Sequence, residues 1–269
     1  MKVLFCGDIV GRSGRDIVIR EVPALRVRLG LDFVVVNGEN AAAGFGITGR
    51  ICEDLHAAGV DVITGGNHSW DQKDIQAYIA QDKRLLRPVN YPPGTPGFGS
   101  GMYETAARKR VVVINVMTRL FMDPLDDPFQ ALEAQLKLHR LGATADFILI
   151  DVHGEATSEK QVIGYACDGR ASLVVGTHTH VPTADARILP GGTAYQTDAG
   201  MCGDYDSIIG MKKEIAMPRM IRKLPGERLA PAEGAATLCG IFVETDDRTG
   251  LAVAVKPLRL GANLEVSDL

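Results

Sequence analysis

The chain has 269 residues, a net charge of −4 and a pI of about 5.9. Its hydrophobic content of 46% and charged content of 23% suit a soluble protein with a packed core. The overall charge does not favour nucleic acid or an anionic membrane as partner, with a local basic patch left open, and no apolar run approaches the ~20 residues of a membrane span.

Residues 1–269 are read as a single domain. A strand is predicted at "KVLFCGD", ending in Asp8. The following "GDIVGRSGR" is glycine-rich but lacks the GxGxxG spacing of a dinucleotide site. Charge and glycines also come too early here for a signal peptide, so a cytoplasmic location is expected. The five cysteines are scattered, with no CxxC, which argues against a disulfide framework or a zinc finger.

Residues 14–30 predict a helix ending at Gly30, with Pro23 expected to kink or split it. "FVVVNGEN" predicts a second strand, carrying Glu39 and Asn40 at its end. A helix over 48–59 follows, with Thr48 as its cap. "DVITGGNH" is the third strand and ends in Asn67 and His68, just before Trp70, a core residue or a stacking platform. Residues 90–101 read as a surface loop.

"RVVVINVM" is the fourth strand, followed by Thr118 and Arg119. A helix over 127–142 leads to "DFILIDVHG", with His153, and a helix over 158–169 leads to "SLVVGTHTH", with His178 and His180. Short β-branched runs alternating with helices predict an α/β fold whose strands are buried on both faces. The last third, with Asp198 in "TDAGMCG", reads as two hairpins forming a second sheet or an antiparallel edge.

In an open α/β sheet, ligands bind outside the carboxyl ends of the strands. Asp8, Glu39, Asn40, Asn67, His68, His153, His178 and His180 all fall there. Singly, each has a structural reading as a turn residue, a helix cap or a satisfied histidine. Together they take four of the six histidines; His56 and His139 lie in predicted amphipathic helices. His178 and His180, two apart on an extended segment, are expected to face one way. A mixed oxygen and nitrogen donor set suits manganese, iron or zinc. It is too large for one tetrahedral ion and sufficient for two ions sharing a carboxylate.

The order GD, GEN, GNH, H, GTHTH resembles the calcineurin-like metallophosphoesterases. Two positions depart from the usual pattern: Val10 stands where a ligand histidine is expected, and Glu39 where the bridging residue is usually Asp. With "TDAGMCG" and "YDSIIG", the series looks like the YmdB-like branch, bacterial phosphodiesterases of 2′,3′-cyclic nucleotides. The resemblance implies two packed mixed β-sheets flanked by helices.

It also implies two divalent ions, iron or manganese ahead of zinc. Asp8, Glu39, Asn40 and His180 would hold one; Glu39, Asn67, His153 and His178 the other. Asn40 would stand in for the histidine missing at Val10. A metal-bridged hydroxide would attack phosphorus, with His68 as general acid. Arg12 and Thr118–Arg119 are candidate phosphate or pocket contacts, and Asp198 a candidate support for a ligand histidine. Each of these four has an alternative surface or turn reading. The expected partner is a small cyclic nucleotide, and the family suggests a homo-oligomer. The competing functions are a phosphomonoesterase or nucleotidase on the same core, or a regulatory metal- and nucleotide-binding module.

Overall fold

The first strand, β1 (Lys2–Cys6), divides the core in two. Val3 and Phe5 enter one apolar layer, and Leu4 and Cys6 the other. The structure, a computed structural model, describes residues 1–223 and 225–267.

After β2 (Asp8–Ile9) come α1 (Gly11–Leu29), β3 (Phe33–Asn37), α2 (Gly49–Ala57), β4 (Val62–Thr64), α3 (Ile75–Ile79) and β5 (Leu85–Leu86). Next are β6 (Ser100–Glu104), β7 (Arg110–Met117), α4 (Pro128–Leu138), β8 (Phe147–His153), α5 (Thr157–Ala166) and β9 (Leu173–Thr177). The chain continues through β10 (Arg187–Ile188), β11 (Ala194–Gln196), β12 (Met201–Asp204), α6 (Lys213–Arg222), β13 (Ala236–Thr245) and β14 (Ala252–Gly261).

Eight strands form one sheet, ordered β2-β12-β13-β1-β3-β4-β5, with β14 paired to β13. Six form the other, ordered β10-β11-β9-β8-β7-β6. Both are mixed: β1, β3, β4 and β5 run parallel while β13 opposes β1, and β7, β8 and β9 run parallel while β6 opposes β7. Between the sheets, Phe5, Val35, Val62 and Ile241 meet Val113, Phe147, Leu149 and Val175. Helices α1 and α2 cover the outer face of the first sheet through Val18, Val22, Cys52 and Leu55. Helices α4 and α5 cover the second through Leu132, Leu136 and Ile163. This is the expected sandwich of two mixed sheets flanked by helices.

Local signals explain the element boundaries. Thr48 caps α2 by accepting a hydrogen bond from Ile51 N, and Asp127 caps α4 ahead of Pro128. Pro23 does not split α1, which runs unbroken through it. The proline itself is exposed, while Ile17, Val18, Val22 and Leu25 are buried and anchor the helix to the core. Both hairpins form, but neither makes a separate sheet. β10–β11 extends the second sheet, and β13 lies inside the first, between β12 and β1. Among the described residues, no helix is long and apolar enough to cross a membrane.

At the end of β9 the backbone passes so close to the stretch after β11 that a Cβ on Gly176 would lie 1.8 Å from Thr197 O. Gly176→Ala is expected to destabilise the fold by about 1–3 kcal/mol or more, read as a lowered urea midpoint. An unchanged midpoint would mean that this approach is not a packing constraint.

Candidate metal centre

The parallel strands deliver their carboxyl ends to one edge shared by the two sheets. Asp8 lies in β2, and Glu39 and Asn40 follow β3. Asn67 and His68 follow β4, His153 ends β8, and His178 and His180 follow β9. The donor atoms of Glu39, His153 and His178 lie within 4.8 Å of one another, as do those of Asp8, Glu39 and His180. Glu39 belongs to both groups. Asn67 Oδ1 joins the first at 3.0 Å from His153 Nε2. Asn40 Oδ1 joins the second at 3.3 Å from His180 Nε2.

Each ring has one nitrogen tied to a partner outside the cluster and one pointing in. His153 Nδ1 meets Thr177 Oγ1 at 2.9 Å, and its Nε2 points in. His178 Nε2 faces Glu155 Oε2 at 3.3 Å, and its Nδ1 points in. His180 Nδ1 donates to Ile209 O at 2.8 Å, and its Nε2 points in. Asn40 gives its amide hydrogen to Gly44 O, which leaves Oδ1 for the cluster. Main-chain contacts brace the carboxylates: His178 N donates to Asp8, and His68 N to Glu39 Oε2 at 3.3 Å.

The donor chemistry fits two divalent cations. His153 Nε2 lies 3.2 Å from His178 Nδ1 and 3.1 Å from Glu39 Oε2. One proton cannot satisfy two nitrogens and a carboxylate oxygen together, whereas a cation among them can. Burial pushes the Asp8 carboxyl up to about 7, so its anion calls for a nearby positive charge. Burial lowers His178 to about 3, which keeps it a neutral imidazole. Against burial, the facing Glu39 carboxylate pulls His153 up to about 9, so that this ring takes on the positive charge a cation would otherwise supply. Burial alone would raise Glu39, but the facing His153 holds it down at about 2.

The loop holding the two terminal histidines corrects the extended reading. Strand β9 stops at Thr177, and His178 and His180 take left-handed backbone with φ of 95° and 66°. Their side chains therefore serve different groups instead of one strand face. Ile209, which receives His180, is itself at φ 47°. Such backbone persists only where the surroundings impose it. Here a buried pair does so: Lys160 Nζ bonds Thr177 O at 2.7 Å and Asp198 Oδ2 at 2.8 Å. The same Asp198 oxygen accepts from Thr179 N, between the histidines. Asp198 thus supports the loop through its backbone. At the departure from the superfamily pattern, Val10 is buried and forms a backbone bridge with Asn40, which brings the amide to the position beside it.

His68 stands at the rim, its Nδ1 2.8 Å from Asp71 Oδ2 and its ring edge-on to Phe45. Arg12 is exposed on α1 and faces Asp16. Arg119 lies over Phe129 and faces Asp127 and Glu159. Thr118 is buried, bonding His153 O through its N–H. Trp70 is half-buried against Tyr91 and the core under α1. Sequence reasoning missed Lys160, Glu155, Thr177, Asp71 and Ile209. Of these, Glu155 and Thr177 sat beside or inside the quoted motifs, while Lys160 has the look of an ordinary solvated helix position.

The model of the YmdB-like protein family matches residues 4–258. A 2′,3′-cyclic-nucleotide 2′-phosphodiesterase of Bacillus subtilis (strain 168) is 49% identical over 256 residues, covering 95% of this chain and 96% of that protein. Among solved structures, a hypothetical protein from Thermus thermophilus superposes with a TM-score of 0.90 at 43% identity, covering 98% of this chain and all of that one. A novel phosphatase from Mycoplasma pneumoniae superposes with a TM-score of 0.88 at 34% identity, covering 97% and 93%.

Lys160→Met would leave the Asp198 carboxylate buried without its cation. The expected loss is about 3–5 kcal/mol of unfolding free energy, measured by chemical denaturation of the metal-stripped protein. A loss below about 1 kcal/mol would mean that the pair does not hold the loop.

Proposed function

The chain belongs to the YmdB-like family of the calcineurin-like metallophosphoesterases, and we propose that it is a two-cation phosphodiesterase that hydrolyses 2′,3′-cyclic nucleotides in the cytoplasm. It is a hydrolase of phosphate esters, as its relatives are. The observation that carries the finer reading is the pair of donor groups sharing Glu39. The 49% identity to the Bacillus subtilis enzyme supports the substrate class. Five free, buried thiols agree with a reducing compartment. We read residues 1–269 as one domain, because both donor groups draw on both sheets.

In this reading Asp8, Glu39, Asn40 and His180 hold one cation, and Glu39, Asn67, His153 and His178 hold the other. Iron or manganese suits the nitrogen and oxygen mix, with zinc next. Bound there, two such ions supply positive charge for the phosphate oxygens and bring the pKa of water toward neutrality. The chain's own part is positioning and proton transfer. Left-handed backbone at His178 and His180 aims the two rings at separate groups. His68 has Nδ1 engaged by Asp71, which leaves Nε2 to deliver a proton to the departing ribose oxygen. Water adds to phosphorus, one ring P–O bond breaks, and the product is a nucleoside phosphomonoester.

Protein stripped by chelator is expected to be inactive on 2′,3′-cyclic AMP and to regain turnover on reloading with Mn²⁺. Turnover in the stripped state would refute the metal dependence. Metal-loaded protein that cleaves only phosphomonoesters would move the assignment to a phosphatase, and tight nucleotide binding without turnover would make it a binding module. His68→Ala should lose about 10²–10⁴-fold in kcat with metal content unchanged. Full activity would remove His68 from the acid role. His178→Ala should bind one metal equivalent fewer by elemental analysis.

A further inference from the structure

Beneath the cluster lies a second, fully buried polar layer that no expected ligand accounts for. Asn37, Thr64, Asp151 and Thr177 are all 0% exposed. They come from β3, β4, β8 and β9, two strands from each sheet. Asp151 is the hub. Its Oδ2 accepts from Thr64 Oγ1 at 2.5 Å and from Asn37 Nδ2 at 3.0 Å, and its Oδ1 accepts from Thr177 Oγ1 at 2.7 Å. Thr177 Oγ1 in turn meets His153 Nδ1 at 2.9 Å.

The direction of these hydrogen bonds decides the state of the ring. A hydroxyl has one hydrogen. If Thr177 donates it to Asp151, its oxygen must accept from His153, so His153 carries its proton on Nδ1. Nε2 then presents a lone pair to Asn67 Oδ1, Glu39 Oε2 and His178 Nδ1. In the opposite tautomer Nδ1 would need the Thr177 hydrogen, and a buried carboxylate oxygen would lose its donor, which is costly in a dry interior. On its other side Asn37 Oδ1 accepts from Glu39 N at 3.1 Å, so the layer also ties down the backbone of Glu39.

We propose that Asp151, acting through the Thr177 hydroxyl, is the positioning residue that fixes His153 in its Nδ1–H form and presents Nε2 to the cation held with Asn67 and His178. The inference rests on the two-cation reading above. A polar staple between the sheets with no bearing on the ring would predict a stability effect alone.

The test is Co²⁺ titration of the stripped full-length protein, following the visible d–d bands and the stoichiometry against a competing indicator. Thr177→Val removes the hydroxyl at nearly constant shape. It should weaken the second Co²⁺ by about 10–100-fold, the usual effect of losing a partner behind a metal ligand, and leave the first unchanged. Thr177→Ser should restore both the affinity and the spectrum. Asp151→Asn should weaken the second site as Thr177→Val does. Thr177→Ala carries the same expectation and serves if Thr177→Val does not fold. Tight binding of both ions by Thr177→Val would overturn the relay while leaving the two-cation reading intact. So would a Thr177→Ser variant as impaired as Thr177→Val, since the methyl packing would then be at work. Wild-type protein that takes up no Co²⁺ would overturn both together.

Discussion

The site depends on one contact between the sheets. Glu39, just beyond β3 of the first sheet, lies 3.1 Å from His153 at the end of β8 of the second, and both side chains are essentially inaccessible to solvent. Two polar groups so placed must satisfy each other or a shared partner. Their meeting requires the parallel strands of both sheets to point their carboxyl ends to the same edge. The apolar layer between the sheets, with Phe5 and Val35 against Phe147 and Val175, sets that alignment. The remaining donors are then added by Asp8 in β2 and by the short segments that leave the neighbouring strands.

Those segments are where the fold departs from its easiest conformations. His178, His180 and Ile209 are three non-glycine residues at positive φ within one hydrogen-bonded patch. Backbone of this kind costs on the order of 1–3 kcal/mol per residue. The opposing interactions are local and buried: Lys160 with Asp198 behind the loop, and Tyr205, whose hydroxyl reaches His180 O and Met201 O. Stability invested here serves geometry, because an extended continuation of β9 would have sent both imidazoles the same way.

Much of this was legible in the chain. The six principal strands follow their β-branched runs, and the ligand candidates gathered because Asp, Glu, Asn and His are conspicuous at strand ends. What escaped was set by tertiary context. A lysine in a helical pattern reads as solvated, and nothing local to Lys160 says that its ammonium is buried against Asp198. Pro23 reads as a break, but its exposed position on a helix anchored by its other side overrides that preference. Thr64 and Thr177 look like ordinary strand residues. Asp151 did carry a signal, a carboxylate inside the apolar run "FILIDVH". A buried strand accepts such a residue only where several donors converge on it.

Each donor group crosses the sandwich. Asp8 and Glu39 come from the first sheet and His180 from the loop after β9 of the second. Glu39 again supplies the first sheet's share where His153 and His178 supply the second's. A cation in either place would therefore cross-link the two sheets. Whatever binds the folded state and not the unfolded one stabilises it by RT ln(1 + [L]/Kd), a term that grows with ligand concentration and affinity. Metal affinity, sheet alignment and loop strain are thus linked free energies. A change that loosens the packing between the sheets should be felt at the cations before it is felt in the global fold, because donor positions tolerate far less displacement than an apolar layer does.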